Sequence, residues 1–192
     1  MCLRLLGVLL LIGTGVLATD SAPPEVRPHI GYPVLQEFMG GCSLRCAFFW
    51  ETVAGTPHGP QKSASELCDD DASSYWISPI DGPGAVIEFR IPKNLPADCR
   101  DTPFYGISVA NGLIRSLDEF RDNARVKSMT LSVNQKSIAR LRLADTWKWQ
   151  DFHFPDKLLN KGDVISLTID EIYPGKKFSR PSLTEIVLQG AH

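Results

Sequence analysis

The chain has no excess of either charge. Its 20 Lys and Arg stand against 22 Asp and Glu in 192 residues, and no basic block interrupts them. A surface that tracks phosphates needs a run or face of cations, so nucleic-acid binding finds no support. Also missing are the G-x-S-x-G elbow, the phosphate-binding loop, G-x-G-x-x-G and H-E-x-x-H, and with them any signalled catalytic class. Histidine is scarce: of His29, His58, His153 and His192, only His153 falls inside a predicted strand, which makes a catalytic triad hard to assemble. Carboxylates are plentiful, but no pair is placed for glycoside cleavage by anything except nearness in sequence. Helical periodicity never runs beyond about ten residues, with a turn or two of helix expected in Arg115–Arg125, and there is no internal repeat.

Long apolar runs are equally rare. The longest, Leu5–Leu17, spans about 13 residues and is interrupted by Gly7, Gly13, Thr14 and Gly15, whereas a membrane-spanning helix needs roughly 20. One cation, Arg4, precedes this run, and the small residues Val16 and Ala18 close it. Residues 1–18 therefore read as a secretory signal peptide, with a retained anchor as the weaker reading. Lipid anchoring would want a cysteine at the cleavage point, and Cys2 lies at the other end.

Signal removal takes away Cys2 and leaves Cys42, Cys46, Cys68 and Cys99. An even number of cysteines in an exported chain favours two disulfides. Of the three connectivities, Cys42 with Cys46 and Cys68 with Cys99 is preferred, because the first two share one short segment. A zinc knot would want two tight Cys pairs, and Cys68 and Cys99 are too far apart in sequence for the second.

What is present is period-two hydrophobicity. Residues 19–39 are expected to be an extended linker, since Pro23, Pro24, Pro28 and Pro33 punctuate them, and residues 40–192 to be one domain. Pro57, Gly59 and Pro60 mark a surface loop. Ala85, Ile87, Phe89 and Ile91 alternate with Glu88 and Arg90, as a half-buried strand requires. The same alternation recurs at Tyr105–Val109, Met129–Val133, Ala139–Leu143, Phe152–Phe154, Ile165–Ile169 and Leu183–Gln189. Asn134-Gln135, Asp156-Lys157 and Asn160–Asp163 supply turns between them. Short strands with frequent turns predict an all-β antiparallel sandwich or jelly roll.

Three constellations offer binding chemistry. The first is Asp69-Asp70-Asp71-Ala72-Ser73-Ser74-Tyr75-Trp76, which contains D-x-D-x-x-S-x-W. Calcium takes six to eight oxygens, and carboxylates two residues apart followed by hydroxyls and carbonyls supply such donors. The competing reading is a solvated acidic turn. The second comprises Asn111, Arg115, Asn123 and Arg125, whose amides and guanidinium groups suit sugar hydroxyls or carboxylates; in the competing reading Asn111-Gly112 makes a turn while Asn123 and Arg125 tie down a loop through backbone bonds. The third is aromatic: Trp147 and Trp149 share one side of an extended segment, where an indole stacks on a pyranose or packs in the core. Tyr75 and Trp76 have the same options.

The order of these motifs carries a resemblance. A Cys-Ser-x-x-Cys segment precedes Ser65-Glu66-Leu67, the D-x-D-x-x-S-x-W loop, Gly82-Pro83-Gly84, Ile87-Glu88-Phe89 and Asn111-Gly112. Asn123-x-Arg125-Val126-Lys127, Leu143-Ala144-Asp145, Asp170–Lys176 and Thr184-Glu185-Ile186 follow. Over about residues 40–189 the sequence resembles the discoidin-like, factor-type C domain found at the front of bacterial NAD glycohydrolase toxins, the NADase-type glycan-binding domain. The resemblance implies a galactose-binding-like jelly roll that attaches to glycans, or helps a separately encoded effector translocate, without catalysis of its own. It also implies a structural calcium held by Asp69, Asp71, Ser74, the Trp76 carbonyl and Glu185. Asp70 stands where that pattern has glycine, and Ser74 where it has threonine. It fixes no sugar site; the residues themselves nominate Asn111, Arg115, Asn123, Arg125, Trp147 and Trp149. A secreted or envelope-attached carbohydrate-binding module is the expectation, and a protein-docking or envelope-structural sandwich is its rival.

Overall fold

The computed structural model describes residues 21–33, 51–56, 59, 62–69, 71–93 and 102–190. The proposed signal peptide and Cys42, Cys46 and Cys99 lie outside them, so the disulfide pairing does too. Among the described residues no helix is long and apolar enough to cross a membrane.

The strands are β1 (Glu25–Val26), β2 (His29–Pro33), β3 (Glu51–Gly55), β4 (Lys62–Ser63), β5 (Trp76–Ile77) and β6 (Val86–Arg90). They continue with β7 (Thr102–Asn111), β8 (Ala124–Val133), β9 (Lys136–Arg142), β10 (Lys148–Leu159), β11 (Val164–Tyr173) and β12 (Pro181–Gly190). Each run read from alternation in the sequence lies within or across one of them. The six-residue helix α1 (Leu117–Asp122) occupies the segment where a turn or two was expected.

The strands form an antiparallel β-sandwich. One layer runs β2-β10-β7-β12, with β5 on the far side of β12; the other runs β9-β8-β11-β6-β3-β4. A short parallel contact, Pro181 with Ala124 and Ser182 with Arg125, joins them. Alternation decides which side chains meet between the layers. Ile107, Val109, Phe152, Phe154, Ile186 and Leu188 from the first layer share one core with Ile87, Phe89, Met129, Leu131, Leu141, Ile165 and Leu167 from the second. Burial of such side chains contributes about 1.5–3 kcal/mol each, which makes this interior the main source of stability. The β8–β9 hairpin turns on Asn134 and Gln135, whose φ values of 49° and 67° are those of a two-residue turn with both central residues left-handed.

The expected linker differs. Residues 25–26 pair in parallel with Arg140 and Leu141 of β9, and residues 29–33 pair antiparallel with β10. The prolines signal poor ladder donors, and here Pro23, Pro24 and Pro28 flank two edge strands while Pro33 ends the second, positions that tolerate a missing N–H. The folded unit therefore includes residues well before position 40.

Candidate functional site

The acidic loop follows a single 3-10 turn, Ser65–Leu67, whose Leu67 anchors it in the core. The Asp71 N–H donates to Asp69 Oδ1 at 2.9 Å, and the Ser73 N–H and hydroxyl donate to Asp71 Oδ1 at 2.8 and 2.6 Å. The bonds from Ser73, hydroxyl first, hold the Asp71 carboxyl below its usual range. Ser74 Oγ sits among three oxygens: Asp69 Oδ1 at 2.9 Å, the Asp71 carbonyl at 3.0 Å and the Glu66 carbonyl at 3.2 Å. Trp76 is buried in β5 opposite Leu183. Two residues beyond Leu183, Glu185 is fully buried beside Ala110. The loop thus gathers hard oxygen donors from Glu66, Asp69, Asp71 and Ser74. Among the described residues no group of three or more His, Cys, Asp or Glu side chains is drawn together as a metal cluster. Any cation here would depend on carbonyl and hydroxyl oxygens beside the two aspartates, chemistry that suits calcium rather than zinc.

The 111–125 segment divides in two. Asn111 is fully buried, its amide donating to the Val126 carbonyl at 2.8 Å and its oxygen accepting from the Val126 N–H at 3.0 Å. Asn123 Nδ2 donates to the Glu119 carbonyl at the end of α1. Arg125 is buried and donates to Asp145, Asn123 and Pro174. All three side chains make hydrogen bonds within the scaffold.

Arg115 is different. It is exposed, and its Nε and Nη2 reach Glu119 at 3.2 and 2.6 Å, one helical turn on. Its guanidinium lies 4.7 Å from the centre of the Tyr75 ring. The bond to Glu119 raises the Arg115 pKa further, so the group is a permanent cation. Ser116 caps α1 by accepting from the Glu119 N–H at 3.1 Å, which fixes the turn that sets this spacing. Beneath it, Ala110, Ile114 and Phe120 form a small second core, against which Ala72 and Trp149 pack. Trp147 rests on this core, its ring 6.5 Å from Phe120, and keeps 38% of its surface exposed.

One neighbourhood therefore holds an exposed indole, a tyrosine ring roofed by a guanidinium, and a carboxylate. Of the predicted residues it brings together Arg115 and Trp147, with Trp149 as half-buried support. Sequence reasoning missed Glu119, although its position four residues after Arg115 is the spacing of a helical ion pair.

Comparison with known proteins places the fold. Among curated proteins, none matches the chain. Among solved structures, the paired CBM32-1 and CBM32-2 domains of Clostridium perfringens ZmpB are similar at a TM-score of 0.55 and 10% identity, over 87% of this chain and 41% of theirs. The same two domains in complex with GalNAc give 0.55 and 9% identity, over 87% and 40%. A longer ZmpB structure that adds the M60 catalytic domain gives 0.55 and 10% identity, over 92% of this chain and 17% of that one. The chain thus spans well under half the length of each, and the likeness establishes the sandwich fold they share. Residues 54–189, most of the sequence, match the NAD glycohydrolase translocation F5/8 type C domain, and the chain belongs to that family.

Proposed function

We propose that this is a secreted, non-catalytic glycan-binding domain that attaches an effector to a cell surface or envelope, or assists its translocation. The observation that carries the reading is the Arg115 guanidinium held over Tyr75 by Glu119, with the exposed Trp147 against Phe120 of the same helix. An indole face stacks on the apolar side of a pyranose, while the flanking guanidinium and carboxylate offer directed bonds to its hydroxyls. The geometry is fixed before a ligand arrives, which lowers the entropic cost of binding. GalNAc in a structural relative of the same fold supports the ligand class. A single shallow site gains little per sugar, so useful attachment comes from several copies or several sugars at once.

Calcium belongs to the same proposal. Asp69, Asp71, Ser74 and the Trp76 carbonyl would hold it, without Glu185, which is not grouped with the two aspartates; when bound it would supply a central charge to the acidic loop. The oxygens converging on Ser74 support this.

A glycan array probed with the mature domain, with and without a calcium chelator, tests the reading. Binding to galactose-type or uronate-containing glycans is expected, weakened by the chelator. No glycan bound at high protein density, together with stoichiometric recovery of one envelope protein in a pull-down, would replace it with a protein-docking role.

A further inference from the structure

The outward face of the β10-β7-β12 sheet carries a second polar arrangement, on different residues from the loop site. Register places His153, Gly106 and Gln189 in one row across three strands, and Asp151, Ser108 and Val187 in the next. These are the faces opposite Phe152, Ile107 and Leu188, which point into the core. An ordinary solvated sheet face carries polar side chains that move independently. Here they are locked. Ser108 Oγ donates to Asp151 Oδ1 at 2.5 Å, and Gln189 Nε2 donates to Ser108 Oγ at 2.6 Å.

A glycine in mid-strand weakens a sheet unless something must approach the backbone closely. At Gly106 that something is Gln189: its Oε1 already occupies the place where a Cβ would stand, with His153 Nδ1 3.1 Å from the same point. Gly106 thereby lets the Gln189 amide lie flat over the strand. With the donor end of that amide spent on Ser108, its acceptor end projects beside His153. Asp151 uses Oδ1 for the network and turns Oδ2 toward Gly31 of β2. The result is a shallow cluster of polar groups: Asp151 and His153 stand two residues apart on β10, and Gln189 reaches over Gly106 from β12 to lie beside both.

We propose that this sheet face is a second saccharide-binding site, in which Asp151, His153 and Gln189 hydrogen-bond the hydroxyls of one sugar ring lying over the Gln189 amide. A neutral polyhydroxy ligand fits because it can both donate and accept. A phosphate or sulfate would meet the Asp151 carboxylate and the Gln189 carbonyl. The choice of ligand class rests on the glycan-binding reading above; the position of the site does not.

The test is an amide chemical-shift titration of the isotope-labelled chain with the neutral sugars N-acetylgalactosamine and galactose. Two groups of amides are followed: Gly106, Ser108, Asp151, His153 and Gln189 on the sheet, and Tyr75, Arg115 and Trp147 in the loops. The proposal expects the sheet group to shift with at least one sugar, and to go on doing so in Trp147→Ala. His153→Ala, at an exposed residue whose loss leaves the core intact, should weaken that response roughly tenfold, the equivalent of one lost hydrogen bond. Gln189→Leu should weaken it similarly. Shifts confined to the loops would overturn the second site and leave the proposed function standing. Shifts confined to the sheet would uphold the second site and remove the loop site. No shift in either group would overturn both.

Discussion

Arg125 grips Asp145 through two parallel hydrogen bonds, Nε to Oδ1 at 2.9 Å and Nη2 to Oδ2 at 2.8 Å. The same guanidinium lies 5.0 Å from the centre of the Phe120 ring and donates to the carbonyls of Asn123 and Pro174. It ties β8, α1, the loop before β10 and the loop after β11 into one corner. Lysine cannot make the fork. Arg125→Lys is therefore expected to lower stability by about 2 kcal/mol in urea titration, since hydrogen bonds to charged groups are worth about 1.5–3 kcal/mol. Gly112 reports on the same corner: at φ +84° it is left-handed, and an added Cβ would stand 2.7 Å from Arg125 Cγ. Gly112→Ala should cost more than about 1 kcal/mol. Combining the two changes should give less than their sum, because each loosens the same guanidinium. Full additivity would show that the corner is not one unit.

The outer face of the second layer makes a pH prediction. Glu171 receives Lys127 Nζ, Arg140 Nη2 and Arg142 Nη1, each at 2.8 Å. Lys127 first and Arg142 next hold its carboxyl down from 4.5 to about 2. A depressed carboxylate contributes stability that is complete above its unfolded value and disappears as the pH falls through the folded one. Glu171→Gln should thus be less stable than the parent at neutral pH, and the gap should close between about pH 4.5 and pH 2. Neighbouring Asp170 works the other way, since burial raises its carboxyl, but it is present in both proteins and largely cancels. Glu171 is a third exposed, so added salt should narrow the gap as well. A gap independent of pH would mean the side chain acts through packing alone.

The fold was legible because its signal is local. Alternation at Ile165, Leu167 and Ile169, or at Met129 and Leu131, needs only the neighbouring residues to be read, and each became an inward row. The edge strands β1 and β2 were not, because two to five residues around prolines carry no period, and their pairing partners lie more than a hundred positions away. The site was legible in part for the same reason. Asn111, Arg115, Asn123 and Arg125 look alike as polar residues in a loop, but Val126, Glu119 and Asp145 decide which of them turn inward. The network of Ser108, Asp151 and Gln189 is assembled across three strands and leaves no trace in any one segment.

Calcium dependence can be read from melting temperature alone. A cation bound only by the folded chain adds stability with concentration, about 2.7 kcal/mol at a hundred times its dissociation constant. The melting temperature should rise with calcium chloride, fall with a chelator, and respond to neither in Asp71→Asn. Magnesium should substitute poorly, because it holds its own water and demands tighter geometry. A melting temperature that ignores calcium and chelator alike would leave the 69–76 segment as a hydrogen-bonded acidic turn.

For the loop site, Trp147→Ala should remove the sugar response of the Tyr75 and Arg115 amides and weaken glycan-array binding, while changing stability by less than about 1 kcal/mol, because the indole is more than a third exposed and meets its ring partner at 6.5 Å. Glu119→Gln should keep the fold and release Arg115 from its fixed position over Tyr75, weakening binding by about fivefold to tenfold through lost preorganisation. Glycan-array intensity and unfolding curves measured on the same preparations separate the two effects. Array binding and loop-amide shifts that are unchanged in Trp147→Ala would move the principal site elsewhere on the sandwich.

Finally, β1 and β2 each cover an edge of the sandwich, β1 along β9 and β2 along β10. Without them, β9 and β10 would present rows of open backbone donors and acceptors, which other chains can pair with. Val26 also packs against the main core, so β1 contributes burial as well as hydrogen bonds. A chain beginning at Val34 should therefore melt at lower temperature than one beginning at Thr19, and should associate in a concentration-dependent way visible by light scattering. A chain beginning at Arg27 should recover part of the melting temperature through β2, yet leave association along β9. Equal melting temperatures and a monodisperse shorter chain would show that the segment is a tether after all, and that β9 and β10 are protected by their own charged and proline-bearing residues.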